Sequence, residues 1–466
     1  MKYVSTRGQA PVLGFEDVLL AGLATDGGLY VPQEYPRFSV TEMREMRSMS
    51  YPDLAAKVMA PFTAGCLSEK ELSEITHQAY GRFSHDAVAP LKQVNDGLWV
   101  MELFYGPTLA FKDYALQTVG LMFDKVLHRR GAHITIVGAT SGDTGSAAIE
   151  ACKDRDGLDI FILHPHNRVS EVQRRQMTTV LSPNVFNIAL EGTFDDCQSI
   201  VKALFADAPF RQTYALSAVN SINWARIMAQ VVYYFRAALS LGAPDRDISF
   251  AVPTGNFGNV FAGYVAKEMG LPIRKLILGS NANDILPRFL ETGEMRKKEV
   301  HPSISPSMDI QVSSNFERLL FEACGRDAAA VARLMETFKY ENYYIVSKEA
   351  LDRIRSDFCG IRCDDTETKE EIAKIFRESG ELLDPHSAIG VVAAEKCGEK
   401  ETPTVVLATA HPSKFPVPVR EATGVTPVLP PRLSDLLTRK EVFTVLPNSV
   451  DAIKYFIETH VRGRDA

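Results

Sequence analysis

Between residues 98 and 278, short apolar strands alternate with helical stretches, and this alternation restricts the chain more than any other feature. Strand character is predicted over 98–104, 133–137, 159–163, 185–190, 248–252 and 275–278. Helical spacing is predicted over 114–129, 146–153, 170–179, 194–205, 223–241 and 260–269. A strand that returns through a helix lies parallel to its predecessor, and the helices then cover both faces of the sheet. The expected fold is therefore α/β, with mostly parallel sheets flanked by helices. Ahead of it, helical patterns at 15–23, 41–49 and 69–83 predict a mostly helical N-terminal domain over 1–95. Residues 96–250 are read as one α/β lobe and 251–466 as a second. The second lobe contains a charged, helical insertion without strands around 315–378, a strand at 404–407 and a last helix at 450–459.

Charge and composition narrow the function classes. The net charge is -7 over 466 residues, which argues against a nucleic-acid partner, since that binding needs a basic face. No apolar run reaches the roughly 18 residues of a membrane span, and Met1–Gly8 lacks the apolar core of a signal peptide. Seven scattered cysteines in so long a chain fit free thiols in a reducing cytoplasm. Cys359 and Cys363 lie beside Asp364, but no second Cys/His pair follows at zinc spacing, so no metal site is expected.

Three stretches carry chemistry. In Gly106-Pro107-Thr108-Leu109-Ala110-Phe111-Lys112-Asp113 a lysine sits among small and apolar residues. Burying an ammonium is costly, so such a lysine is either a solvated residue opening a helix or an amine nucleophile for a carbonyl. Thr140-Ser141-Gly142-Asp143-Thr144-Gly145 follows a strand and opens a helix. Its glycines, hydroxyls and helix-terminal amides suit a carboxylate or phosphate. The plainer alternative is a capped helix start with Ser141 or Asp143 as the cap. Gly255-Asn256-Phe257-Gly258-Asn259 repeats the arrangement after another strand. Neither turn ends in the Gly-Lys-Ser/Thr of a nucleotide loop, and neither matches the dinucleotide fingerprint. Two anion-binding turns and one unusual lysine suit pyridoxal phosphate, whose aldehyde condenses with lysine and whose phosphate favours a helix N-terminus.

The chain also resembles the threonine synthases, of fold-type II pyridoxal-phosphate enzymes, the tryptophan synthase β-like group. The resemblance runs through Tyr3–Gly8, Thr25–Pro32, Gly106–Asp113, the Ser141 turn, Pro253–Asn259, Ser305–Arg318 and Ala408–Pro412. It implies that Lys112 carries the cofactor, that Gly255, Asn256, Phe257 and Asn259 surround its phosphate, and that the Thr409 hydroxyl faces the pyridine nitrogen. Ser141 and Thr144 would hold the substrate carboxylate. Ser217, Asn220, Asn223 and Arg226, with Arg174 as a further candidate, would meet the substrate's phosphate. Arg226 could bind a phosphate bidentately or could be an exposed cation. Related type II enzymes often carry Asn where this chain has Asp143, a departure that matches the longer bacterial and fungal branch and leaves Asp143 without an assigned role.

The implied reaction converts O-phospho-L-homoserine and water to L-threonine and phosphate, with Lys112 as the base. The alternatives are a phospho-lyase giving 2-oxobutyrate from the same substrate, and a non-catalytic pyridoxal-phosphate-binding protein. His386 and His411 are read as structural. The expected partner is a small molecule, with neither nucleic acid nor membrane, and the expected assembly is a monomer in preference to a dimer.

Overall fold

A computed structural model describes residues 1–218 and 221–462. The chain divides into two units. The first comprises Met1–Leu19, Leu23–Phe111 and Ser221–Pro427, and the second Leu20–Gly22, Lys112–Asn220 and Val428–Ala466.

The first unit is built on a six-stranded sheet in the order 358–362, 273–280, 248–253, 404–408, 98–102, 91–95. All neighbours are parallel except the terminal hairpin of 91–95 with 98–102. The strand 248–253 is buried along its whole length, as expected of a strand covered on both faces. On one face Leu98, Val100, Ala251, Ile277 and Val406 pack against Ile372, Ile375 and Val391, which belong to the helices Asp365–Ser379 and Pro385–Cys397. Each such fully buried aliphatic side chain contributes about 1.5–3 kcal/mol. The approach is close enough that a Cβ on Gly390 would lie 2.9 Å from Val406 Cγ1.

The N-terminal stretch has the expected helices, Phe15–Ala21, Val40–Met46 and Glu69–Tyr80, and also Tyr51–Thr63. It also holds a small antiparallel sheet of Leu13–Gly14, Lys2–Ser5 and Tyr30–Pro32, which the sequence reading does not contain. The stretch 315–378, read as largely helical without clear strands, includes the strands Tyr343–Ile345 and Phe358–Arg362. The second of these joins the main sheet beside 273–280, so pairing partners rather than local propensity make it a strand.

The second unit has a five-stranded parallel sheet, ordered 444–447, 185–191, 158–165, 134–139, 216–217. Val137, Phe161, Leu163, Ile188 and Leu190 face the helix Phe194–Ala206 through Cys197, Ile200 and Leu204, and the helix Val450–His460 through Ile453 and Ile457. The helices Lys112–Arg130 and Asp143–Cys152 touch at Gly120, where a Cβ would lie 2.4 Å from Ala151 O. No helix among the described residues is long and apolar enough to cross a membrane.

Candidate active site

In the second unit, Lys112 is the first residue of its helix, and its side chain is 11% exposed. Its Nζ lies 3.4 Å from Asp143 Oδ2. The other carboxylate oxygen, Oδ1, accepts a 2.9 Å hydrogen bond from Gln173 Nε2. Asp143 opens the helix that follows the 140–142 turn, and there the helix's positive end favours its charge. The turn is held by Thr140, whose Oγ1 accepts from the amides of Gly142 at 3.0 Å and Gly145 at 2.8 Å. Only glycine suits position 142, because its φ is 140° and a Cβ would strike the Gln173 side chain at 2.7 Å.

The cap of this helix is Gly142, without a side-chain cap. Ser141 and Asp143 therefore do not play the capping role that the plainer reading gave them. Ser141 is exposed and Thr144 half-buried, both next to the first amides of the helix, where an anion is favoured. Ser217 is half-buried on the short strand beside 134–139. Asn220 lies outside the described residues. Arg174 is committed elsewhere: its guanidinium pairs with both oxygens of Glu441, at 2.9 and 3.1 Å.

In the first unit, strand 248–253 runs into the turn that starts the helix Gly258–Glu268. Phe257 caps that helix in the left-handed conformation, φ 63°, a position that costs a bulky residue about 1–2 kcal/mol. Its ring is buried, edge-on to Phe316 at 5.0 Å, so what it offers a ligand is its backbone. The turn's carbonyls are tied down from a distant segment. Ser313 Oγ donates to Gly255 O at 2.7 Å, and Asn315 donates to Asn256 O from its amide N–H and from Nδ2, at 3.1 and 2.9 Å. A Cβ at position 255 would lie 2.8 Å from Ser307 O, so the cradle admits only glycine there. Asn259 Oδ1 accepts from the Tyr233 hydroxyl at 2.6 Å, while its buried Nδ2 has no protein partner.

The neighbouring helix, Trp224–Ser240, is capped by Asn223. Both ends of the Asn223 amide are engaged, Oδ1 by the Ala225 amide at 3.0 Å and Nδ2 by Leu19 O at 2.8 Å. Asn223 thus serves as the cap of this helix. Arg226 is 5% exposed, not the exposed cation of the alternative reading. Its Nε and Nη1 have no hydrogen-bond partner among the described residues, and burial lowers its pKa to about 10. A buried, unpartnered guanidinium is costly unless an anion reaches it. The entry to this helix is fixed by Arg318, which donates to Tyr30 O at 3.0 Å, to Ile222 O at 2.6 Å and to Asn315 Oδ1.

Thr409 is buried at the end of the strand Thr404–Ala408. Its carbonyl accepts from the Phe111 amide at 2.9 Å, one peptide bond before Lys112. Its own amide donates to Ser387 Oγ at 3.1 Å, and that hydroxyl donates to Asp384 Oδ2. The other oxygen of Asp384 lies 2.8 Å from His386 Nδ1, and His386 Nε2 accepts from the Ser307 amide at 3.3 Å. His386 is therefore structural, as expected, and joins the Thr409 support to the Gly255 cradle. His411 caps a short 3-10 turn through Ser413, also structurally. Sequence reasoning missed Gln173, Ser387 and Asp384 as supports of the site. Of these only Asp384-Pro385 carried a local signal, that of a helix start.

Each unit presents groups that suit a phosphorylated cofactor that binds lysine: the second a sheltered amine at Lys112, the first a glycine cradle at a helix start and a buried Asn259 donor unpartnered among the described residues. Three family models cover the chain: threonine synthase N terminus at 2–80, pyridoxal-phosphate dependent enzyme at 84–339, and threonine synthase C-terminal at 387–457. A threonine synthase of Pseudomonas aeruginosa is 57% identical over 462 residues, covering 99% of this chain and 98% of its own. One of Schizosaccharomyces pombe is 41% identical, covering 98% of each chain. The crystal structure of pyridoxal-phosphate-bound threonine synthase from Brucella melitensis matches with a TM-score of 0.98 at 57% identity, over 99% of this chain and 100% of that one. The chain belongs to the threonine synthase family of pyridoxal-phosphate-dependent enzymes.

Proposed function

We propose that the chain converts O-phospho-L-homoserine and water to L-threonine and phosphate, with pyridoxal phosphate carried on Lys112. The observation that carries the reading is the Arg226 guanidinium, buried with two nitrogens unpartnered. A phosphorylated cofactor and a phosphorylated substrate together need two sets of anion-binding groups. The turn at Gly255, Asn256, Phe257 and Asn259 offers one and Arg226 offers the other, and Ser217 is assigned to the substrate's phosphate as well. Ser141 and Thr144 are assigned to the substrate carboxylate and Thr409 to the pyridine nitrogen.

Bound pyridoxal phosphate supplies an electron sink for the charge left when a substrate C–H bond breaks. Lys112 holds the cofactor at rest and, once released, its amine takes and returns protons at the substrate carbons. The substrate's C–O bond at Cγ breaks to release phosphate and Cγ gains a proton, while Cβ loses a proton and becomes bonded to the oxygen of water. The Thr409 hydroxyl would face the ring nitrogen, where a hydroxyl partner would favour its protonation less than a carboxylate.

We place the reaction in the cytoplasm, as the last step of threonine biosynthesis, performed by a monomer. All seven cysteines are free thiols, which fits a reducing compartment. The test is one assay: protein, cofactor and O-phosphohomoserine, with phosphate, threonine and 2-oxobutyrate quantified together. Threonine and phosphate are expected in equal amounts, whereas 2-oxobutyrate as the main product would identify a phospho-lyase instead. Lys112→Ala is expected to lose both turnover and the visible absorption band of the lysine-bound cofactor, and retained turnover would remove Lys112 from its role.

A further inference from the structure

We propose that Asp143 is a catalytic residue, the proton partner of Lys112. The proposal rests on the reading that Lys112 carries the cofactor and acts as the base. The two side chains meet at 3.4 Å with little solvent between them, at 11% and 6% exposure. The carboxylate is not a loose neighbour. Gln173 fixes its far oxygen at 2.9 Å, and Ser170 in turn donates to Gln173 Oε1 at 2.7 Å. The absence of a side chain at Gly142 is what lets Gln173 approach.

Arg432 faces Asp113 and Glu150, while Arg174 and Arg175 face Glu441. Glu171 meets Arg175 at 3.0 Å. Asp143 has Lys112 at one oxygen and the neutral Gln173 at the other.

The chemistry follows from this placement. When the Lys112 amine takes a proton from a substrate carbon, a C–H bond breaks, an N–H bond forms and an ammonium appears inside the protein. A carboxylate at contact distance stabilises that ammonium as it forms, so it acts on the transition state for proton transfer. It can also accept the proton outright: the N–H bond breaks, an O–H bond forms on Asp143, and the neutral pair replaces the ion pair. The same carboxylate works against the resting amine, because a neutral lysine is needed to join an aldehyde and Asp143 favours the charged one.

Asp143→Asn is nearly isosteric and removes only the charge, so it separates these effects. In apo-protein mixed with pyridoxal phosphate, the wild type sets the pH midpoint for growth of the absorption band, and D143N is expected to lower it by about 1–3 pH units. At neutral pH D143N therefore acquires the cofactor faster than wild type, while its turnover is slower by up to about tenfold for every pH unit by which the midpoint falls. A purely structural role would slow both. Asp143→Glu keeps the charge and is expected to restore a midpoint close to wild type. Should D143N not fold, Gln173→Leu frees the carboxylate from its anchor, and a smaller change in the same direction is expected. An unmoved midpoint with the band intact would overturn the role of Asp143 and leave Lys112 untouched. Absence of the band from wild-type protein would instead overturn the reading on which it rests.

Discussion

Arg226→Met tests whether the buried guanidinium serves a ligand or the fold. Methionine keeps most of the volume and removes the charge. Burial lowers the Arg226 pKa from the usual arginine value to about 10. At about 1.36 kcal/mol for each tenfold change in proton affinity, keeping it charged in the folded protein costs about 3 kcal/mol. The penalty is whole at any pH below the folded value of about 10. It lifts only as pH rises beyond that toward the unfolded value, so an assay at pH 7 sees all of it. Urea unfolding of R226M at pH 7 is therefore expected to show a gain of up to about 3 kcal/mol. The substrate's phosphate loses its buried partner, a change that costs about 2–5 kcal/mol, or roughly 30-fold or more in kcat/KM. Inorganic phosphate should raise the unfolding midpoint of wild-type holoenzyme and leave that of R226M unmoved. A variant that is destabilised, with KM and the phosphate response unchanged, would show that the guanidinium holds the fold and would refute the assignment.

Two further substitutions probe the surroundings. Ser387→Ala orphans the buried Thr409 amide and removes one of the two Ser387 donors to Asp384 Oδ2, leaving the backbone amide at 3.3 Å, so it is expected to cost about 1–3 kcal/mol and to weaken cofactor affinity in equilibrium dialysis. His164 is buried with neither ring nitrogen partnered, and burial lowers its pKa to about 4. Its folded value lies below the unfolded one, so the unfolded chain binds the extra proton and stability falls as pH drops from 6.5 toward 4. His164→Leu is expected to flatten that acid slope in urea midpoints measured between pH 4 and 7, and an unchanged slope would place the titration elsewhere.

The turns were legible in the sequence because strand, small residues and helix follow one another within about twelve positions, as at 134–145 and 248–259. What secures those turns was not. Ser313 and Asn315 hold the 255–256 carbonyls from 58 and 59 residues away, and Gln173 reaches Asp143 across 30. Such contacts leave no local pattern, since any polar residue at a surface-like position reads alike. The stretch 305–318 was marked by resemblance alone, without its task of closing the phosphate turn. Arg226 was ambiguous for a related reason: an arginine between Ala225 and Ile227 reads as easily outward as inward, and only packing decides. The strand Phe358–Arg362 was missed because Phe-Cys-Gly-Ile-Arg follows a charged helix and holds one β-branched residue.

The second unit's sheet places a demand on protein synthesis. Its edge, Val185–Glu191, is paired by Thr444–Pro447, a strand made after the whole of Ser221–Pro427. Until the ribosome has delivered that late segment, the edge amides and carbonyls of a largely apolar strand stand open to any passing chain. Arg462 arrives later still, to donate to the buried Asp159 at 2.6 Å. Nascent or prematurely terminated chains thus expose a docking edge that the finished protein hides, and its newborn copies are the ones in need of a chaperone.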